Sequence, residues 1–230
     1  MKAESFAKVF FMSAPITKLT PTNLAALLCA KICHDLISPV GALGNAVEFL
    51  DDDGNPDMYE DAIELVRTSS RQASAKLKFL RIALGAAGIA PGVIPTSEVT
   101  KLANDMFADS KPELVWDIDS DGIDKNRARI VMNLVMLGVQ AAPRGGSVTI
   151  TRKGNGDGAD FTIVSDGPNV RLDAAVAKAI AGKMPEGGVD GRSIQPLYAN
   201  LLARDIGGSV GASDYETLIT FTAKFPAAKV

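Results

Sequence analysis

Residues 20–86 hold two long helical repeats of apolar residues, separated only by the turn sequence DDDGNP at 51–56. In the first, Leu24, Leu28, Ile32, Leu36, Leu43, Val47 and Leu50 recur at a mostly helical spacing. Thr20 or Thr22 can cap this helix, and Pro21 suits a first turn, where a missing N–H costs nothing. Gly54 and Pro56 should stop it. The second helix is expected from Asp57 to Ala86. Its stripe of Val66, Ser70, Ala73, Leu77, Leu80 and Leu84 alternates steps of four and three, the spacing of a bundle seam. Two long helices joined by a short turn make an antiparallel hairpin. A lone hairpin encloses a poor core. The simplest completion is a second copy of the chain, giving a dimeric four-helix bundle.

Beyond GAAGIAPGVIP, residues 85–95, the pattern changes, and this Gly- and Pro-rich stretch marks a domain boundary. Helices are expected at 97–109, 124–141, 171–182 and 194–206. ELVWDID (113–119) has strand character, as does part of DYETLITFTAKF (214–225). SVTITRK (147–153) and DFTIVSD (160–166) form a β-hairpin around the turn GNGDG. This order of elements predicts an α/β sandwich with helices on one face of a mixed sheet. The whole chain is therefore expected to be α+β. Residues 1–19 would be a loosely docked leader, 20–90 the helical hairpin and 96–230 the α/β domain. The leader is too short and interrupted for a membrane span or a secretory signal.

The formal net charge is -3 with no long basic run, so nucleic-acid binding has no electrostatic footprint. The two cysteines, Cys29 and Cys33, lie four apart on the first helix and are expected to pack as small apolar groups. They support neither a disulfide framework nor a zinc site, and a reduced, cytoplasmic setting is the simplest reading.

His34 is the single histidine in 230 residues. At about 100° per residue, it lies roughly opposite the leucine stripe. Its near neighbours on that side are Ala30, Lys31, Ser38, Gly41 and Asn45, which are small or polar. They leave room for a partner to approach the ring. Leu27 and Ile37 could add apolar contact. Asp35 can orient the imidazole by accepting its N–H, and a neutral imidazole nitrogen is a good nucleophile toward phosphorus. Pro39 cannot donate to the Asp35 carbonyl, so it is expected to loosen or bend the helix just past the histidine.

HDLISP, with His34, Asp35, Leu36 and Pro39, resembles the H-box of histidine kinases. RIVMNLVMLGVQAAPRGGSVTI (129–150) resembles the N-box helix and following strand of their ATP-binding domain, with Asn133, Gly145 and Gly146 in matching places. The second N-box asparagine falls on Leu137, which cannot coordinate a hard cation. SDGPNV keeps Asp166, but Pro168 and Val170 stand where that box has glycines. Gln195 and Pro196 replace the glycines of the lid. A kinase scaffold with three broken ATP features is similar to the ChpT-type histidine phosphotransferases. The resemblance implies a homodimer that relays a phosphoryl group through His34. The donor would be the receiver domain of a hybrid histidine kinase and the acceptors response regulators. His34 and Asp35 would be catalytic, and Lys31, Ser38, Gly41 and Asn45 would meet the partner. No cofactor, ATP, membrane or nucleic acid is expected, and Mg²⁺ would belong to the receiver. The rival readings are an active histidine kinase and a non-catalytic scaffold for receivers.

Other features have plainer readings. DDDGNPD (51–57) is a solvated turn rather than a metal loop, and no helix follows GNGDG as a phosphate loop requires. Arg67 and Arg71 are expected in surface ion pairs, and Trp116 in the core.

Overall fold

The computed structural model describes residues 19–51, 58–85, 91–154, 159–215 and 217–226. Residues 1–18 of the leader, the turn at 52–57 and the hairpin tip at 155–158 lie outside the described residues, as does 86–90 of the boundary segment.

Helix α1 spans Pro21–Leu50, with the Thr20 side chain accepting from the Asn23 backbone N–H. Helix α2 spans Tyr59–Ala83 and packs along α1. The α/β half follows in the order β1 (Val93–Pro95), α3 (Thr96–Met106), β2 (Pro112–Asp117), β3 (Gly122–Asp124), α4 (Lys125–Ala141), β4 (Gly146–Lys153), β5 (Asp160–Asp166), α5 (Ala174–Ile180), α6 (Ile194–Asp205), β6 (Ser209–Tyr215) and β7 (Leu218–Lys224). Five strands form a mixed sheet in the order β2-β4-β5-β7-β6. The β2–β4 pair is parallel and the others are antiparallel. Strands β1 and β3 make a separate two-stranded ribbon.

Alternation along the strands sets the layers. Val148, Ile150, Phe161, Ile163, Ile219 and Phe221 are buried beneath the helices. Thr149, Thr151, Thr162, Thr220 and Thr222 occupy the other, partly open face. α4 is buried nearly all round, from Ile130 to Val139. It lies close on the sheet because Gly138 has no side chain. A Cβ there would meet Ile163 Cγ2 and Val148 Cγ1, each at 2.9 Å.

The hydrophobic cluster is shared by both halves of the chain. Phe79, Leu80, Ile82 and Ala83 at the end of α2 join Val99, Ala103 and the α4 residues in one core. Phe79 meets Phe107 edge to face with ring centroids 5.5 Å apart.

Three strands differ from expectation. β6 was not legible because SVGASDY is rich in Gly, Ser and Asp, which disfavour strands. It is held as an edge strand by β7. β1 and β3, of three residues each, are too short for any pattern. α5 is shorter than expected, because Asp173 caps it by accepting from the Ala175 and Val176 N–H groups. Trp116 is half-buried on the edge strand β2, donating to Asn104 Oδ1 at 3.2 Å. Arg67 and Arg71 both approach Glu64 at the surface. The cysteine expectation is corrected: Cys29 and Cys33 are both exposed. The stripe of apolar residues on α1 is wider than the side that α2 covers.

Candidate functional site

α1 carries His34 on the side away from most of its leucines, with Leu27 sharing its face. The imidazole is 84% exposed, whereas the neighbouring Asp35 side chain is 12% exposed. His34 Nδ1 lies 3.3 Å from Asp35 Oδ1. A carboxylate can only accept, so this contact suits the tautomer with its proton on Nδ1. Nε2 then keeps its lone pair on a ring open to solvent.

Asp35 is itself held from two sides. Lys31, one turn earlier, donates from Nζ to Oδ1 at 2.6 Å and to Oδ2 at 2.5 Å. Lys76 Nζ, from α2, donates to the Asp35 backbone carbonyl at 3.0 Å. That carbonyl is the one left without a helical partner by Pro39, four residues on. The expected loosening does not interrupt α1, which continues as helix through Pro39 to Leu50. Lys76 supplies the missing donor. Sequence reasoning missed Lys76, although the signal was present: an orphaned carbonyl on one helix asks for a donor on its neighbour.

A Lys76→Met chain should therefore lose about 1–3 kcal/mol, the cost of an unsatisfied, partly buried acceptor. For a chain of this size that corresponds to a fall in Tm of roughly 3–10 °C. Thermal unfolding followed by circular dichroism measures it, and an unchanged Tm would refute this role for Lys76.

The other expected site residues are distributed as follows. Ser38, Gly41 and Asn45 are exposed along α1 beside His34. Lys31 is half-buried and engaged with Asp35. Ile37 is 71% exposed, next to the site.

A cleft of about 630 Å³ opens between α1 and the α/β half. Leu27, Lys31 and His34 form one wall. Leu137, Leu172, Val176 and Phe221 give the opposite wall an apolar floor. Arg171 and Arg192 stand exposed at its rim, with Asp173 and Asp190. Hydrogen bonds from the Ser193 hydroxyl and backbone N–H hold the Asp190 carboxyl below the usual carboxylate range, so it is charged at neutral pH. Arg171 and Arg192 were not singled out from the sequence, because nothing local distinguishes them from other surface arginines. Leu137 lines this cleft as part of the core. Gln195 and Pro196 are buried on α6, with Gln195 Nε2 donating to Met136 Sδ at 2.8 Å.

The arrangement presents an exposed nucleophilic ring, oriented by a braced carboxylate, at the mouth of a cleft whose rim carries both arginines and aspartates. Residues 96–217 match the family model for the histidine phosphotransferase C-terminal domain. The protein phosphotransferase ChpT of Brucella abortus (strain 2308) is 38% identical over 213 residues, which is 93% of this chain and all of that protein. A bacterial phosphotransferase solved at 1.7 Å superposes with a TM-score of 0.80 at 37% identity, covering 92% of this chain and all of that one. By the nature of its site and by these likenesses, the chain belongs to the ChpT-type histidine phosphotransferases.

Proposed function

We propose that this protein passes a phosphoryl group from the receiver aspartate of a hybrid histidine kinase to response regulators, using His34 as the intermediate stop. The observation that carries this reading is the exposed His34 ring, braced by Asp35, at the mouth of the cleft. His34 Nε2 attacks the phosphorus of the receiver's aspartyl phosphate. An N–P bond forms, the acyl O–P bond breaks, and the receiver carboxylate leaves. The proton stays on Nδ1, facing Asp35. A second receiver aspartate then attacks phosphorus, and the electron pair of the N–P bond returns to Nε2. Positioning and charge supply most of the catalysis in such a transfer. Mg²⁺ is assigned to the receiver, and the setting is the cytoplasm.

The working unit is proposed to be a homodimer. Within one chain only Pro39 and Ala46 of α1 are fully buried. Val40 and Val47 remain 55% and 50% exposed. With Cys29 they share a narrow arc of α1, about 120–140° round from His34. On α2, Tyr59, Ser70 and Leu77 share one side and are likewise exposed. By length and composition α1 could also cross a membrane. Its half-buried Lys31–Asp35 pair and its packing against the charge-rich α2 favour a bundle in water instead. A second hairpin would cover the apolar arc and leave both His34 rings outside.

The test is a labelled transfer. Label should pass from a phosphorylated receiver to this chain and on to a second receiver. Incubation with γ-labelled ATP alone should give no label on His34. Labelling directly from ATP would overturn the reading in favour of a kinase.

Gly41 offers a separate check of where the receiver docks. A Cβ at Gly41 has nothing within 4 Å. A Gly41→Phe chain should therefore fold, with helix propensity gaining several tenths of a kcal/mol, about what glycine costs in a helix. The ring should project into the docking face and abolish receiver binding in a titration. Unchanged affinity would exclude this stretch of α1 from the interface.

A further inference from the structure

The last carbonyls of a helix have no partner within it. At the end of α2 the Leu84 and Gly85 N–H groups satisfy the Leu80 and Ile82 carbonyls, and the next two are satisfied from the α/β half. Asn133 Nδ2, on α4, donates to the Ala83 carbonyl at 2.7 Å. Tyr198 Oη, on α6, donates to the Leu84 carbonyl at 3.0 Å. Arg129, one turn before Asn133, donates from Nη2 to Tyr198 Oη at 2.8 Å. Its cation therefore lies at the negative end of the α2 dipole, where a positive charge is favourable. Asn133 Nδ2 also donates to the Arg129 backbone carbonyl at 2.8 Å, one turn earlier on α4.

The chain leaves α2 against this group. Gly85 has φ +82°, and a Cβ there would sit 2.3 Å from Arg129 Nη2. Only glycine makes that turn with the guanidinium in place. Asn133 is fully buried and Tyr198 is 8% exposed. Burying such groups is costly. Asn133 Oδ1 and Arg129 Nε, both buried, lack partners among the described residues. The shared apolar core already glues the halves together, and apolar contacts tolerate sliding. Directional hydrogen bonds fix an angle. None of the three side chains lines the cleft beside His34.

We propose that Asn133, Tyr198 and Arg129 form a latch that sets the angle between the helical hairpin and the α/β half, holding the cleft at the width a receiver needs. The proposal rests on the reading that receivers dock at His34. The three are positioning residues: they act on the docking surface, not on the reacting atoms. If the competent angle falls to about a tenth of the population, apparent receiver affinity falls about tenfold.

Tyr198→Phe removes one oxygen, and Asn133→Leu replaces the amide with an apolar group of similar size. Gly85→Ala displaces Arg129 without deleting a donor, and serves if Asn133→Leu fails to fold. In transfer kinetics, KM for the phosphorylated receiver should rise about tenfold, with kcat within about twofold of the parent. In parallel, spin labels at Asn45→Cys and Ser213→Cys, in a Cys29→Ser/Cys33→Ser background diluted with unlabelled chain, report the angle directly. The parent should give one narrow distance distribution and the variants a broad one. Unchanged KM in folded variants, a loss confined to kcat, or a distribution that stays narrow would each overturn the latch. If the parent accepts no phosphoryl group from a receiver, the functional reading fails, and the distance distributions alone decide the latch.

Discussion

A His34→Gln chain is expected to take no label from a phosphorylated receiver, while folding and binding that receiver like the parent. The ring is 84% exposed, so its loss opens no cavity. Surface changes of this kind alter stability by about 0.5 kcal/mol or less. The amide nitrogen of glutamine has no available lone pair, so it cannot form the N–P bond. Asp35 stays in place because its main bonds run to Lys31 and Lys76 rather than to His34. Receiver titration and circular dichroism establish that binding and fold persist, and the labelling assay then reads the chemistry alone. Label on the glutamine chain would mean that another side chain carries the phosphoryl group. A parent chain that binds receivers but never takes label would mark a scaffold.

The second large effect is on assembly. Val47 and Leu77 are 50% and 52% exposed within one chain, on the sides of α1 and α2 that a second hairpin would cover. In the proposed dimer each would be buried in apolar surroundings. A Val47→Glu/Leu77→Glu chain would place four carboxylates in that seam per dimer. Burying unpaired charge costs several kcal/mol per group, more than a modest interface supplies. Light scattering should therefore show the parent at twice the chain mass and the variant at the mass of one chain. The α/β half, whose core lies elsewhere, should keep its folded signature. A parent already monomeric at micromolar concentration, or a variant that stays dimeric, would exclude this seam.

Legibility in the sequence followed the physics of each feature. The hairpin could be read because helical periodicity is local and needs no partner, and α4 because its apolar run is too long for a strand. The sheet could be read where strands are β-branched, as in SVTITRK and DFTIVSD. It could not be read at SVGASDY, where pairing with β7 overrides poor propensity. His34 and Asp35 were legible through their spacing to Pro39. The brace on Asp35 was only half legible. Lys31 lies one turn away on the same helix, but it stood out as a partner contact rather than as a companion of Asp35. Lys76 lies 41 residues away, brought near by the hairpin. Cys29 and Cys33 show the opposite error. A small apolar residue says nothing by itself about which side of a helix will be covered, and on α1 the covered side proved narrow. The polar group at the end of α2 joins residues up to 114 apart in the chain, so only the folded molecule shows it.

The most direct measurement of the central claim is the chemical identity of the phosphorylated residue. The chain is mixed with a phosphorylated receiver, recovered within seconds, digested at alkaline pH and fragmented in a mass spectrometer. The account predicts one added phosphoryl group on the peptide carrying His34, labile to acid, which disappears when a second receiver is added. A phosphoryl group on any other residue, or on none while the receiver is bound and loses its own, would contradict it.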